Sequence, residues 1–95
     1  MTPAPSEFDG DKAIATAVVN EAVHPTGATT HHGPDGAIPP ASALAIVSGE
    51  AGFYLLYCDR DWQVLTDTWH ASVENAKAQA EFEYSGISKQ WKNAV

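Results

Sequence analysis

A single cysteine allows no internal disulfide and no cysteine-based zinc cluster, so the framework is that of a reduced compartment. Basic residues are scarce: five Lys and Arg against twelve Asp and Glu leave a formal charge of −7 on 95 residues. Nucleic-acid backbones and anionic membranes select for basic surface, so neither is expected as the main partner. Long apolar runs are missing as well. The longest, at 43–47 and 53–58, hold five and six residues, against the ~20 needed to span a bilayer. Residues 1–10 show neither a basic start nor an apolar stretch, so no export signal is read and the expected location is cytoplasmic. What is present, 44% hydrophobic residues, is a globular composition, and the length predicts one small domain.

Residues 1–10 carry two prolines and little to bury, and read as a disordered lead-in to a single domain over 11–95. The segment 12–24, KAIATAVVNEAVH, follows an aspartate suited to capping and repeats Ile14, Val18 and Ala22 at helical spacing. That spacing predicts a helix, although Ile14, Thr16 and Val18 would share one side of a strand. Proline and glycine then crowd 25–42, which reads as a long loop with a turn at Asp35 and Gly36.

Three short apolar runs follow, at 43–48, 52–59 and 63–70, separated by gaps of hairpin length and chemistry. They predict a three-stranded antiparallel meander. In its middle strand Phe53, Leu55 and Tyr57 face one way and Tyr54, Leu56 and Cys58 the other, so both faces need cover. Ser72 suits an N-cap, 73–85 is rich in good helix formers, and Gly86 suits the stop. Val73, Ala76, Ala80 and Tyr84 fall on one side of that helix, with Phe82 nearly opposite. The expected fold class is α+β: the meander packed on a C-terminal helix, with the N-terminal helix or a partner on the second face.

Four histidines are the first chemical candidates. His31 and His32 on the Pro/Gly loop, with His24 or His70, have donor types that bind Zn²⁺, Ni²⁺ or Cu²⁺, but lack the spacing of an established metal motif. Asp67 and His70 could form an acid–base pair, yet strand alternation puts them on opposite faces. Asp67 reads instead as an acceptor for N–H groups starting the last helix. Acidic neighbours Asp59 and Asp61 disfavour a Cys58 thiolate. Glu74, Glu81 and Glu83 read as a solvated helix face, and no serine stands in a nucleophile-elbow context. Trp62, placed in a turn, and Phe82, placed opposite the core stripe, are the candidate partner-binding residues.

Across 52–91 the chain reads as an aromatic strand (FYLLYCD), a turn (RDW), LTDTWH, the helix ENAKAQAEFEYSGI and a closing tryptophan. This run, with D-T-W-H followed by A-K-x-Q-A-E-F-E-Y, resembles a group of small bacterial proteins of unknown function. The resemblance implies a meander-plus-helix unit and no activity. Its matching positions are Asp67, Trp69, His70, Glu81, Phe82 and Glu83, each with a structural explanation.

The expected function is therefore a small acidic non-catalytic interaction module, self-associating as a homo-oligomer and using no cofactor. An acidic inhibitor of a basic protein, of the immunity or antitoxin kind, is the alternative carried by the charge. A small metal-binding protein using His31 and His32 is the second alternative.

Overall fold

A computed structural model of the chain describes residues 2–34 and 36–94. Asp35 of the expected turn lies outside the described residues, as do Met1 and Val95 at the ends of the expected lead-in and domain.

The main sheet takes its strands from along nearly the whole chain. Strand β1 (Glu7–Phe8) pairs with β2 (Asp11–Val18) through a turn in which Asp9 and Gly10 have φ of 49° and 87°. Two successive positive φ values make the tight turn that matches strand twist, and Asp-Gly suits it. The next pieces are short: β3 (His24–Pro25), β4 (His32–Gly33) and β5 (Gly36–Ala37). Then come β6 (Ala43–Gly49), β7 (Gly52–Cys58) and β8 (Val64–His70). Helix α1 (Val73–Glu83), β9 (Tyr84–Ser85), a 3-10 turn (Ile87–Lys89) and β10 (Lys92–Asn93) complete the order. The sheet runs β1-β2-β6-β7-β8, all antiparallel, with β10 also paired to β2.

This architecture overturns the expected three-stranded meander. The protein is mainly β, with 45% strand and 15% helix, and its five-stranded sheet curls into a half-barrel against one helix. The expected N-terminal helix is instead β2. Ala13, Ala15, Thr16 and Ala17 are buried there, whereas Val18 and Ala22, members of the supposed helical face, are exposed. Small alanine side chains let β2 lie close between β6 and β10, and those neighbours satisfy its backbone groups on both sides. At the end of β2, Asn20 Oδ1 accepts the Ala22 N–H at 2.9 Å and turns the chain.

Two apolar layers sandwich the sheet. On the helix side, Leu44, Ile46, Leu55 and Tyr57 pack against Ala76 and Ala80 of α1, with Tyr84 and Ile87 beyond. On the helix-free side, Ala43, Ala45, Val47, Leu56 and Cys58 lie beneath Trp62, with Phe8 and Tyr54 at the margin. The second face is thus covered by the lead-in and the β7–β8 turn, where a helix or partner was expected. Each fully buried Leu or Ile contributes about 1.5–3 kcal/mol relative to exposure. Among the described residues, no helix is long and apolar enough to cross a membrane.

The 25–42 segment is tied down at several points. Strand β3 pairs with β9, and β4 with β5. Thr26 donates its N–H to the Glu83 carbonyl at 2.9 Å and its hydroxyl to the Phe82 carbonyl at 2.8 Å. These bonds satisfy carbonyls at the end of α1 that have no partner within the helix.

Candidate functional site

Ser72 starts α1 as expected, its Oγ accepting the Asn75 N–H at 3.1 Å. From that start, Ala76, Ala80 and Glu83 follow at i, i+4 and i+7 on the buried side. Glu83 is 5% exposed, so its carboxylate needs internal partners. The Tyr57 hydroxyl donates to Oε2, as does Gln79 Nε2 at 3.0 Å, while His31 Nε2 lies 2.7 Å from Oε1. The His31 ring also packs on Tyr57, with centroids 4.4 Å apart. Across the sheet, Tyr57 OH reaches Thr68 Oγ1 at 3.5 Å, and Thr68 Oγ1 lies 2.7 Å from His70 Nε2.

Burial, reinforced by the Glu83 carboxylate, pushes the Tyr57 phenol well above its ordinary value of 10.0. Burial lowers His70 below the usual imidazole value, with the charge of Glu83 opposing that shift. A cleft of about 220 Å³ beside His31 and Glu83 is flanked by Thr29, Thr30 and Pro39. Both carboxylate oxygens are engaged by donors of the chain itself, so Glu83 anchors the loop to the helix and does not present a free base to the cleft.

A second concavity lies on the helix-free face. Val47, Tyr54, Leu56 and Val64 line a groove of about 190 Å³ together with Asp9, Asp11 and Asp67. Register explains the composition: Asp67 pairs with Leu56 and Trp69 with Tyr54, so all four side chains share this face. Asp9 and Asp11 come from the β1–β2 corner, at the opposite end of the strand order from β8. The curl of the sheet brings those two ends to one groove. All three aspartates are exposed, and none makes a side-chain hydrogen bond or ion pair among the described residues. Val64 is 45% and Trp69 50% exposed beside them.

The residues singled out from sequence do not assemble into one site. His31 is bound to Glu83, whereas His32 and His24 are exposed on short strands. Among the described residues, no three His, Cys, Asp or Glu side chains converge as a metal site. Trp62, expected as an exposed anchor, is 5% exposed and donates its indole N–H to the Thr2 carbonyl at 2.8 Å. The folded-back lead-in is what buries it. Phe82 is 59% exposed on α1. Asp67 does not cap α1; Ser72 does, and Asp67 faces away from the helix.

Cys58 is buried, and desolvation followed by the charge of Asp59 pushes its thiol up to about 12. Glu81 accepts the Gly86 and Ser88 N–H groups at 2.8 and 3.0 Å, which lowers its carboxyl below the ordinary value. Glu83 and the Asp9–Asp11–Asp67 grouping were missed in the sequence. Glu83 had one legible signal, its i+7 spacing from Ala76. The aspartates had none, because long-range curl brings them together. No family model, curated protein or solved structure matches the chain.

Proposed function

We propose that this protein is a non-catalytic interaction module that binds a basic polypeptide through the helix-free face of its sheet. The observation that supports this reading is the groove with an apolar lining and three aspartates, Asp9, Asp11 and Asp67. A lysine or arginine side chain fits that chemistry. Its aliphatic stem packs on Val47 and Leu56, its cation meets the carboxylates, and Tyr54 and Trp69 offer aromatic surface. The net charge of −7 steers a basic partner to the surface and raises its association rate.

A second copy of the chain is a poorer occupant of this groove, since it brings the same acidic surface. Self-association has its own support in Phe82, 59% exposed on α1. A native mass of twice 10.1 kDa that falls to the monomer on Phe82→Ser is the outcome expected of that second reading.

The test of the main reading is titration with a synthetic arginine-rich peptide, followed by Trp fluorescence and by amide shifts across β7 and β8. Affinity is expected to fall several-fold as the Debye length shrinks from ~10 Å at 0.1 M salt to ~3 Å at 1 M. Asp11→Asn with Asp67→Asn is expected to weaken binding further. Binding that ignores both salt and these substitutions overturns the reading.

A further inference from the structure

Resting on the basic-partner reading, we propose that the partner binds as an extended strand added to the open edge of β8. Strand β8 ends the order β1-β2-β6-β7-β8, and at the other end β2 is flanked by both β1 and β10. Seven residues long, β8 pairs with β7 on one side only, and among the described residues no backbone hydrogen bond is made on the other. In an antiparallel ladder alternate residues turn N–H and C=O away from the neighbour, so this edge presents a row of free donors and acceptors.

The groove tells which strand fits. Its lining comes from β8 on one side and from the β1–β2 corner on the other. A strand laid on β8 therefore runs beside the opening of the half-barrel. Alternate side chains of that strand point to the helix-free face, where Asp67 stands on the near wall, with Trp69 on the same face of β8, and Asp9 and Asp11 stand on the far wall. The intervening side chains point toward the Thr66, Thr68 and His70 side. Basic residues at every second position thus meet the carboxylates, while main-chain bonds supply affinity independent of sequence. The β4–β5 hairpin and Leu65 of β8 border a separate cleft, and among the described residues the hairpin makes no backbone hydrogen bond to β8.

Asp67 also argues against a second copy as the added strand. Antiparallel pairing of β8 with itself, centred on that residue, sets two carboxylates directly opposite each other.

The experiment uses the full chain and a synthetic peptide alternating arginine and valine, with two derivatives methylated at backbone nitrogens in opposite phases. Each phase removes donors from only one edge of the extended peptide. Strand addition predicts that one phase binds roughly tenfold more weakly while the other binds like the parent. It also predicts slowed amide exchange at alternate residues of β8. If the parent binds and both phases bind equally well, strand addition is wrong and the basic-partner reading stands. If the parent fails to bind at low salt, the reading itself fails and takes the inference with it. Protection of β8 amides in a peptide-free dimer would assign the edge to a second copy and overturn the proposal.

Discussion

His31 and Glu83 stand 52 residues apart in the chain and 2.7 Å apart in space. Their contact fastens the middle of the 25–42 segment to the end of α1, next to the bonds from Thr26. Ala41 adds a further tie, donating its N–H to the Tyr84 hydroxyl at 2.8 Å. Each partner of Glu83 is left short if the carboxylate is removed. Glu83→Ala is expected to destabilise the fold by about 2–4 kcal/mol, because Tyr57 and Gln79 lose their acceptor inside the protein. Urea unfolding measures it. His31→Ala is expected to cost less and to speed amide exchange within the loop before that of the sheet. A loop that exchanges no faster would show that the Glu83 contact does not hold it.

Acid sensitivity should come from the two ends of the helix region. The Gly86 and Ser88 N–H groups hold the Glu81 carboxyl below its ordinary value of 4.5. The unfolded chain therefore takes up that proton first as pH falls. Glu81 contributes stability above about pH 4.5, and the contribution is lost as pH drops through its folded value. His70, lowered from 6.5 by burial, acts with the same sign at milder acidity, since its protonation is less favourable in the folded chain. Thermal unfolding followed from pH 7 to pH 3 should show stability declining in both ranges. Glu81→Gln is expected to flatten the lower limb alone, and His70→Gln the upper one. Unchanged pH profiles would contradict both assignments.

The Cys58 thiol, pushed up to about 12, stays protonated and shielded at neutral pH. A thiol reagent is expected to modify it no faster than the fold opens, and rapidly once urea is added. Raising the pH above the ordinary 9.0 should destabilise the protein, because the unfolded chain ionises its thiol while the folded chain does not. Fast modification of the folded protein would place the sulfur outside the core.

Two substitutions test how the remote segments are fixed. Trp62→Ala removes the lid of the helix-free core along with the bond to Thr2, at an expected cost of about 3–5 kcal/mol. Proteolysis within 2–8 should accelerate in the same variant. Gly86 has φ of 93°, and a Cβ there would lie 2.6 Å from the Ala22 carbonyl oxygen. Gly86→Ala is expected to cost about 1–3 kcal/mol through backbone strain. Chemical denaturation reads both, and stability equal to the parent at either position would refute the packing described for it.

Legibility in the sequence followed locality. Strands β6 and β7 announce themselves by apolar runs around a two-residue turn, and α1 by its Ser72 cap and its alanine stripe. Those signals lie within a few residues of the structure they specify. Strand β2 misled because its periodicity fits helix and strand alike, and the deciding partners are Ala43–Gly49 and Lys92–Asn93. Glu83 misled for a related reason. A glutamate among helix formers is ordinarily solvated, and only the arrival of His31 and Tyr57 makes its burial tolerable.

By itself, then, the amino-acid order determined the acidic charge, the absence of an internal disulfide, the hairpin-forming runs and the start of one helix. Each depends on composition or on neighbours along the chain. The end of that helix comes at Glu83 and not, as expected, at the Gly86 stop, because Tyr84 and Ser85 pair with His24 and Pro25. Tertiary structure alone decided that residues 11–18 are a strand, that Trp62 is covered and Glu83 internal, and that Asp9 and Asp11 share a groove with Asp67. These outcomes depend on the curl of the sheet and on pairings between distant segments, whose free energies belong to the assembled fold and to no local stretch of it.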